Sequence, residues 1–112
     1  MKIDTQSHGT VAVVTPHAPL AGDEVEQFRN ALSLAIDQRG GRVVLNMGDV
    51  PYLDSRGIEA LLELCTAQPV AGERPRLAAL TETCREALDL TDVLASLAVF
   101  DTVDSAIRSF KR

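Results

Sequence analysis

The stretch of this chain whose residue types and spacing could do chemistry is Asp54-Ser55-Arg56-Gly57, which follows the turn signals Gly48-Asp49 and Pro51. Behind it Ile58, Leu61, Leu62 and Cys65 recur at i, i+3, i+4 and i+7, the pattern of an amphipathic helix. A serine in the first turn of such a helix presents its hydroxyl to solvent beside unpaired backbone N–H groups. A phosphate placed there would add about −1.5 to −2 of charge, where the helix dipole favours an anion. Asp54 beside it would deepen the negative patch, and a partner docked over the loop would be repelled or lose a contact. Gly57 would keep the first turn free of bulk and let another protein approach closely. In isolation the same run reads as an ordinary helix start, with Asp54 or Ser55 as the capping side chain.

The other polar residues carry less. His8 and His17 fall in expected loops near the amino terminus, and neither neighbours a nucleophile or a ligand set. Gly40-Gly41 lies between a helix and a strand, the reverse of the order a phosphate-cradling loop requires. Cys65 and Cys84 sit in apolar surroundings, without a pairing pattern or the electropositive context that activates a thiol. Glu59 and Glu63 lie one helical turn apart, as many exposed glutamates do. No enzyme, no metal and no cofactor is expected from these residues.

The elements that would position Ser55 alternate between strand and helix patterns. Lys2 to Ser7 reads as a polar edge strand, His8-Gly9 as a turn, and Thr10 to Thr15 as a β-rich run ended by Pro16. Pro19 and Gly22 mark a loop. Asp23 is the expected N-cap of a helix whose apolar face is Val25, Phe28, Leu32, Ala35 and Ile36, stopped by Gly40-Gly41. Arg42 to Met47 is apolar on both faces, as a strand covered by helices should be. After the Ser55 helix, broken by Pro69 and Gly72, come a strand at Arg76 to Leu80 and a helix capped by Thr81 or Thr83. A connecting segment, Thr91 to Ala98, reaches the pair Val99-Phe100, and a last helix opens at Asp101 or Thr102. The order is ββαβαβαβα, an α/β domain with about four helices packed on a mixed four- to five-stranded sheet.

Composition sets the outer limits. The 112 residues suit a single domain spanning 1–112, and 46% apolar with 24% charged residues is ordinary for a soluble globular protein. The formal net charge of −5 argues against a nucleic-acid footprint. With no signal-peptide core, no apolar run long enough to span a bilayer and two thiols read as reduced, the expectation is a cytoplasmic protein without membrane insertion.

The run Val43-Val44-Leu45-Asn46-Met47-Gly48-Asp49-Val50-Pro51-Tyr52-Leu53-Asp54-Ser55-Arg56-Gly57-Ile58-Glu59-Ala60-Leu61-Leu62 closely resembles the signature of STAS domains, typified by the anti-sigma factor antagonists. That signature is a strand followed by Asp and then Asp-Ser-x-Gly-apolar. The resemblance extends over nearly the whole chain, with Thr10 to Thr15 similar to the early strand, Asp23 to Gln38 to the first helix, and Phe100 to Ala106 to the last strand and helix. It implies a single STAS-like domain in which Ser55 is phosphorylated by a partner serine kinase that doubles as the anti-sigma factor, with a PP2C-type phosphatase to reset it. Asp54, Ser55, Arg56, Gly57 and Glu59 would form the partner-binding surface. The resemblance equally covers an alternative: a non-phosphorylated STAS subunit of a lipid or ABC transporter, or of a larger signalling complex. Two departures from the family pattern stand out. Pro16-His17-Ala18-Pro19-Leu20 replaces a Gly-x-Leu-Asp-like stretch, and Arg56 stands where Ser or Thr is usual.

Overall fold

The structure, a computed structural model, describes residues 1–110; the last two residues of the expected 1–112 domain, Lys111 and Arg112, lie outside it. Five strands form one sheet in the order β1-β2-β3-β4-β5. They are β1 (Ile3–His8), β2 (Val11–Pro16), β3 (Val43–Asn46), β4 (Arg76–Ala78) and β5 (Ala98–Phe100). β1 pairs antiparallel with β2, and the remaining neighbours are parallel, so the sheet is mixed. The helices are α1 (Glu24–Arg39), α2 (Ser55–Thr66), α3 (Glu82–Leu90) and α4 (Val103–Arg108).

The two faces of the sheet follow from the side-chain period of two. Val14, Val43, Leu45 and Leu77 point into a core shared with Phe28, Leu32 and Ile36 of α1, Leu61 and Cys65 of α2, and Cys84 and Leu88 of α3. Val11, Val13, Val44 and Ala78 point the other way and are covered by Ala106 and Phe110 at the α4 end of the chain. β3 is therefore buried on both faces, which is why its sequence shows no alternation. β1 is the opposite case: beyond Ile3 every residue is exposed, as its polar sequence implies for an outer strand.

Several boundaries differ from the sequence expectation, each for a local reason. Pro16 belongs to β2, paired opposite Ile3 at a position where β1 asks for no N–H donor. His8 is the last residue of β1 rather than part of a loop. Asp23 precedes α1 but makes no side-chain capping bond, because its backbone is already helical at φ −69 and ψ −19. β4 stops at Ala78, since Ala79 takes a left-handed conformation at φ 60 and turns the chain out of the sheet. Among the open alternatives, Thr81 caps α3 and Thr102 caps α4, each accepting a bond from the backbone N–H three residues on. Gly41 is needed where it stands: at φ 86, a Cβ would fall 1.7 Å from the Glu73 carbonyl oxygen.

Candidate functional site

The Ser55 region is built by two loops that meet above the carboxyl ends of β2 and β3. The first runs from Pro16 to Asp23, and the second from Met47 to Asp54. They join as a single parallel bridge between Leu20 and Leu53. The Leu20 N–H donates to the Tyr52 carbonyl at 3.2 Å, and the Asp54 N–H donates back to the Leu20 carbonyl at 3.1 Å. Leu20 itself is fully buried, so the proline-rich loop is held down by an apolar anchor between its ends.

Asp54 completes the junction. Its Oδ1 accepts the Gly57 N–H at 3.0 Å, which caps α2, while its Oδ2 accepts the Gly22 N–H at 2.8 Å, which holds the start of α1. One carboxylate thus ties together the leading ends of two helices. These backbone donors, Gly22 first and then Gly57, hold the Asp54 carboxyl below its ordinary range.

With Asp54 in the cap, Ser55 is free of that duty. It is the first residue of α2, it is exposed, and neither its hydroxyl nor its N–H has a hydrogen-bond partner among the described residues. Arg56 is exposed beside it, reaching Asp23 at 3.5 Å. Glu59 is exposed one turn further along α2. Together with Gly22, Glu26 and Arg29, the residues Asp23, Arg56 and Glu59 line a shallow polar cleft of about 320 Å³ between α1 and α2. Arg29 pairs with Glu63 at 2.5 Å on the same side, and that partner raises its pKa.

Gly57 sits elsewhere than its partner-facing expectation. It is buried, and a Cβ there would lie 2.2 Å from the Leu20 carbonyl oxygen. The close approach that the missing side chain permits is made by the chain's own loop. Of the five expected surface residues, then, Ser55, Arg56 and Glu59 face solvent, Asp54 is half-buried in the junction, and Gly57 lies beneath it.

His17 is the residue whose surroundings sequence reasoning missed. Its Nε2 lies 2.8 Å from Asp4 Oδ2 and its Nδ1 lies 2.8 Å from Asp49 Oδ2, so it links the base of β1 to the loop before α2. Those partners are far apart in the chain, and no local pattern announces them. Cys65 and Cys84 are buried free thiols. Burial pushes the Cys65 thiol up to about 12 and raises that of Cys84. Among the described residues no cluster of His, Cys, Asp and Glu could hold a metal ion, and no helix is long and apolar enough to cross a membrane.

A five-stranded mixed sheet with three helices on one face, and a capped helix that offers an exposed serine in its first turn, define a small α/β domain. The family model for the STAS domain matches residues 2–106, and the chain belongs to that family. No curated protein matches it. Among solved structures, a candidate anti-sigma factor antagonist of Thermotoga maritima superposes with a TM-score of 0.87 at 17% identity, over 98% of this chain and 95% of that one. The anti-sigma factor antagonist SpoIIAA in its unphosphorylated form gives 0.74 at 20% identity, over 95% and 93%. The murine anion transporter Slc26a9 gives 0.75 at 22% identity, over 92% of this chain but 18% of the transporter. At these identities the likeness is one of fold.

Proposed function

We propose that this protein is an anti-sigma factor antagonist-like binding module whose partner binding is switched by phosphorylation of Ser55. The observation that carries the reading is the division of labour at the start of α2: Asp54 takes the cap, and the neighbouring serine hydroxyl stays exposed and unengaged. A phosphate on that hydroxyl meets the positive end of the helix dipole, the open Ser55 N–H and the Arg56 guanidinium, so the domain accepts it without rearranging. The same charge alters the surface of Ser55, Arg56 and Glu59, and a partner seated there loses its complementarity. Membership of the STAS family, with its likeness to the anti-sigma factor antagonists, supplies the partners of this reading: a serine kinase that is itself the anti-sigma factor, a PP2C-type phosphatase to reverse it, and a cytoplasmic setting where these meet. The fold shared with unphosphorylated SpoIIAA supports this reading.

The test is a pull-down from the native organism with wild-type protein, Ser55→Ala and Ser55→Asp side by side. A kinase retained by wild type and Ser55→Ala but lost by Ser55→Asp, with phosphate incorporated only where Ser55 is present, is the expected result. Equal retention by all three ends the switch reading. The fold shared with a domain-sized part of Slc26a9 favours one second reading, a STAS subunit serving a transporter. Recovery of a transporter or its ATPase, and no kinase, would select it.

A further inference from the structure

β1 forms one margin of the sheet, and no described strand pairs with its outer edge. Its hairpin to β2 has a two-residue loop, Gly9-Thr10, between the paired His8 and Val11. Gly9, at φ 64, supplies the conformation a type II′ turn needs at its first central position. Two hydrogen bonds fix which backbone groups face which way. The His17 N–H donates to the Lys2 carbonyl at 2.9 Å, towards β1, and the Ala12 N–H donates to the Arg42 carbonyl at 3.0 Å, towards β3. By the alternation of an antiparallel ladder, Asp4, Gln6 and His8 spend their N–H and C=O groups on β2. Ile3, Thr5 and Ser7 aim theirs outward, where no described residue meets them.

Exposed edges are usually blunted by charged side chains, proline, a bulge or brevity. Of these β1 has only one charge, that of Asp4: its six residues pair with β2 in unbroken register, and no Pro, Lys or Gly lies between Ile3 and His8.

We infer that β1 is a self-pairing edge, on which a second copy of this chain docks antiparallel about a two-fold axis passing Gln6. The strand's own sequence selects the occupant and the register. Only odd-numbered residues have outward backbone groups, so a two-fold pairing matches odd with odd. Centring the axis on Asp4 sets two carboxylates face to face, and centring it on Thr5 sets Asp4 against Gln6. Centring it on Gln6 pairs Thr5 with Ser7 of the second copy through about four inter-strand hydrogen bonds. That register alone places Asp4 opposite His8 of the second copy, twice by symmetry. These are non-hydrogen-bonded positions, where facing side chains come closest. Asp4 is equipped for the contact, since His17 occupies its Oδ2 and leaves Oδ1 to accept from the second His8. The Ser55 loop lies at the ends of the strands, not along this margin, so both copies keep it exposed.

The decisive experiment is cysteine cross-linking of the full chain. Cys65 and Cys84 are buried and stay silent. Under mild oxidation Gln6→Cys should form a covalent dimer readily, because the axis brings the residue against itself with Cα atoms about 4.5 Å apart. Thr5→Cys, equally exposed, should cross-link at least tenfold more slowly. In sedimentation velocity the wild-type chain should show concentration-dependent dimers. Thr5→Pro should abolish them while leaving the hairpin folded, because the N–H it deletes points outward. His8→Asp should weaken the dimer, and His8→Lys should retain it. A chain that stays monomeric up to about 1 mM, the limit of weak association, overturns the inference and leaves the edge to an extended segment of another protein. Thr5→Cys cross-linking as fast as Gln6→Cys overturns it as well.

Discussion

Gly57 and Leu20 are in backbone contact: a methyl group on the glycine would lie 2.2 Å from the leucine carbonyl oxygen. That oxygen is already the acceptor for the Asp54 N–H, so it cannot simply retreat. The seating of the proline-rich loop and the start of the Ser55 helix are therefore one structural event. Gly57→Ala should destabilise the protein by about 1–3 kcal/mol, the usual cost of overpacking a closed site. Urea denaturation would measure it, and an unchanged midpoint would show that the loops are not locked together.

Asp54 uses both carboxylate oxygens on backbone donors. Asn in its place keeps one acceptor and turns an amide donor towards the other N–H. Asp54→Asn should therefore lower the melting temperature while leaving the helix formed.

The same carboxylate makes an acid-side prediction. Its folded pKa lies below the unfolded value, so its contribution is complete at pH above the ordinary carboxylate range. As pH falls through about 4, the unfolded chain takes up the proton first and stability declines until the folded group is protonated too. Stability measured from pH 6 down to pH 2 should fall less steeply in Asp54→Asn than in wild type. Parallel curves would mean that Asp54 is no acid-sensitive tie.

Ser55 makes no contact that folding needs. Ser55→Ala should shift stability by less than about 0.5 kcal/mol, as exposed substitutions do. Ser55→Asp should be neutral or slightly stabilising, by about 0.3–1 kcal/mol, because its charge sits at the positive end of α2. Thermal melts of the three proteins would check this. If Ser55→Asp proves markedly unstable, loss of a partner by that variant would report misfolding instead of a switch.

Cys65 and Cys84 are enclosed and held as thiols by burial. Neither should react with a thiol-specific reagent in the native protein at neutral pH, and both should react fully in denaturant. Rapid labelling of either in the native state would mean that the core around α2 and α3 opens far more readily than its packing implies.

The order of strands and helices was legible in the sequence because it is written in local periodicity. The double-sided apolar run of β3, the 3.6-residue stripes of α1 and α2, and the polar face of β1 each have a physical meaning within a few residues. Ser55 at a helix start was legible for the same reason, since Asp-Ser after a turn and before an apolar stripe is a cap signal. Other features depended on residues distant in the chain. Asp23 looks like a cap and is not one, because its backbone is drawn into helical geometry beside a Gly22 N–H that Asp54 holds from across the fold. Gly57 looked open to a partner, yet the space beside it belongs to Leu20. His17 had no visible neighbours until β1 and the β3–α2 loop brought Asp4 and Asp49 to its two nitrogens. The sequence by itself determined the elements, the family signature and the position of the serine, through backbone propensity and side-chain period. Only the tertiary structure decided which of Asp54 and Ser55 caps the helix and which is left free, because that choice depends on a second hydrogen bond, to Gly22, made 32 residues away along the chain.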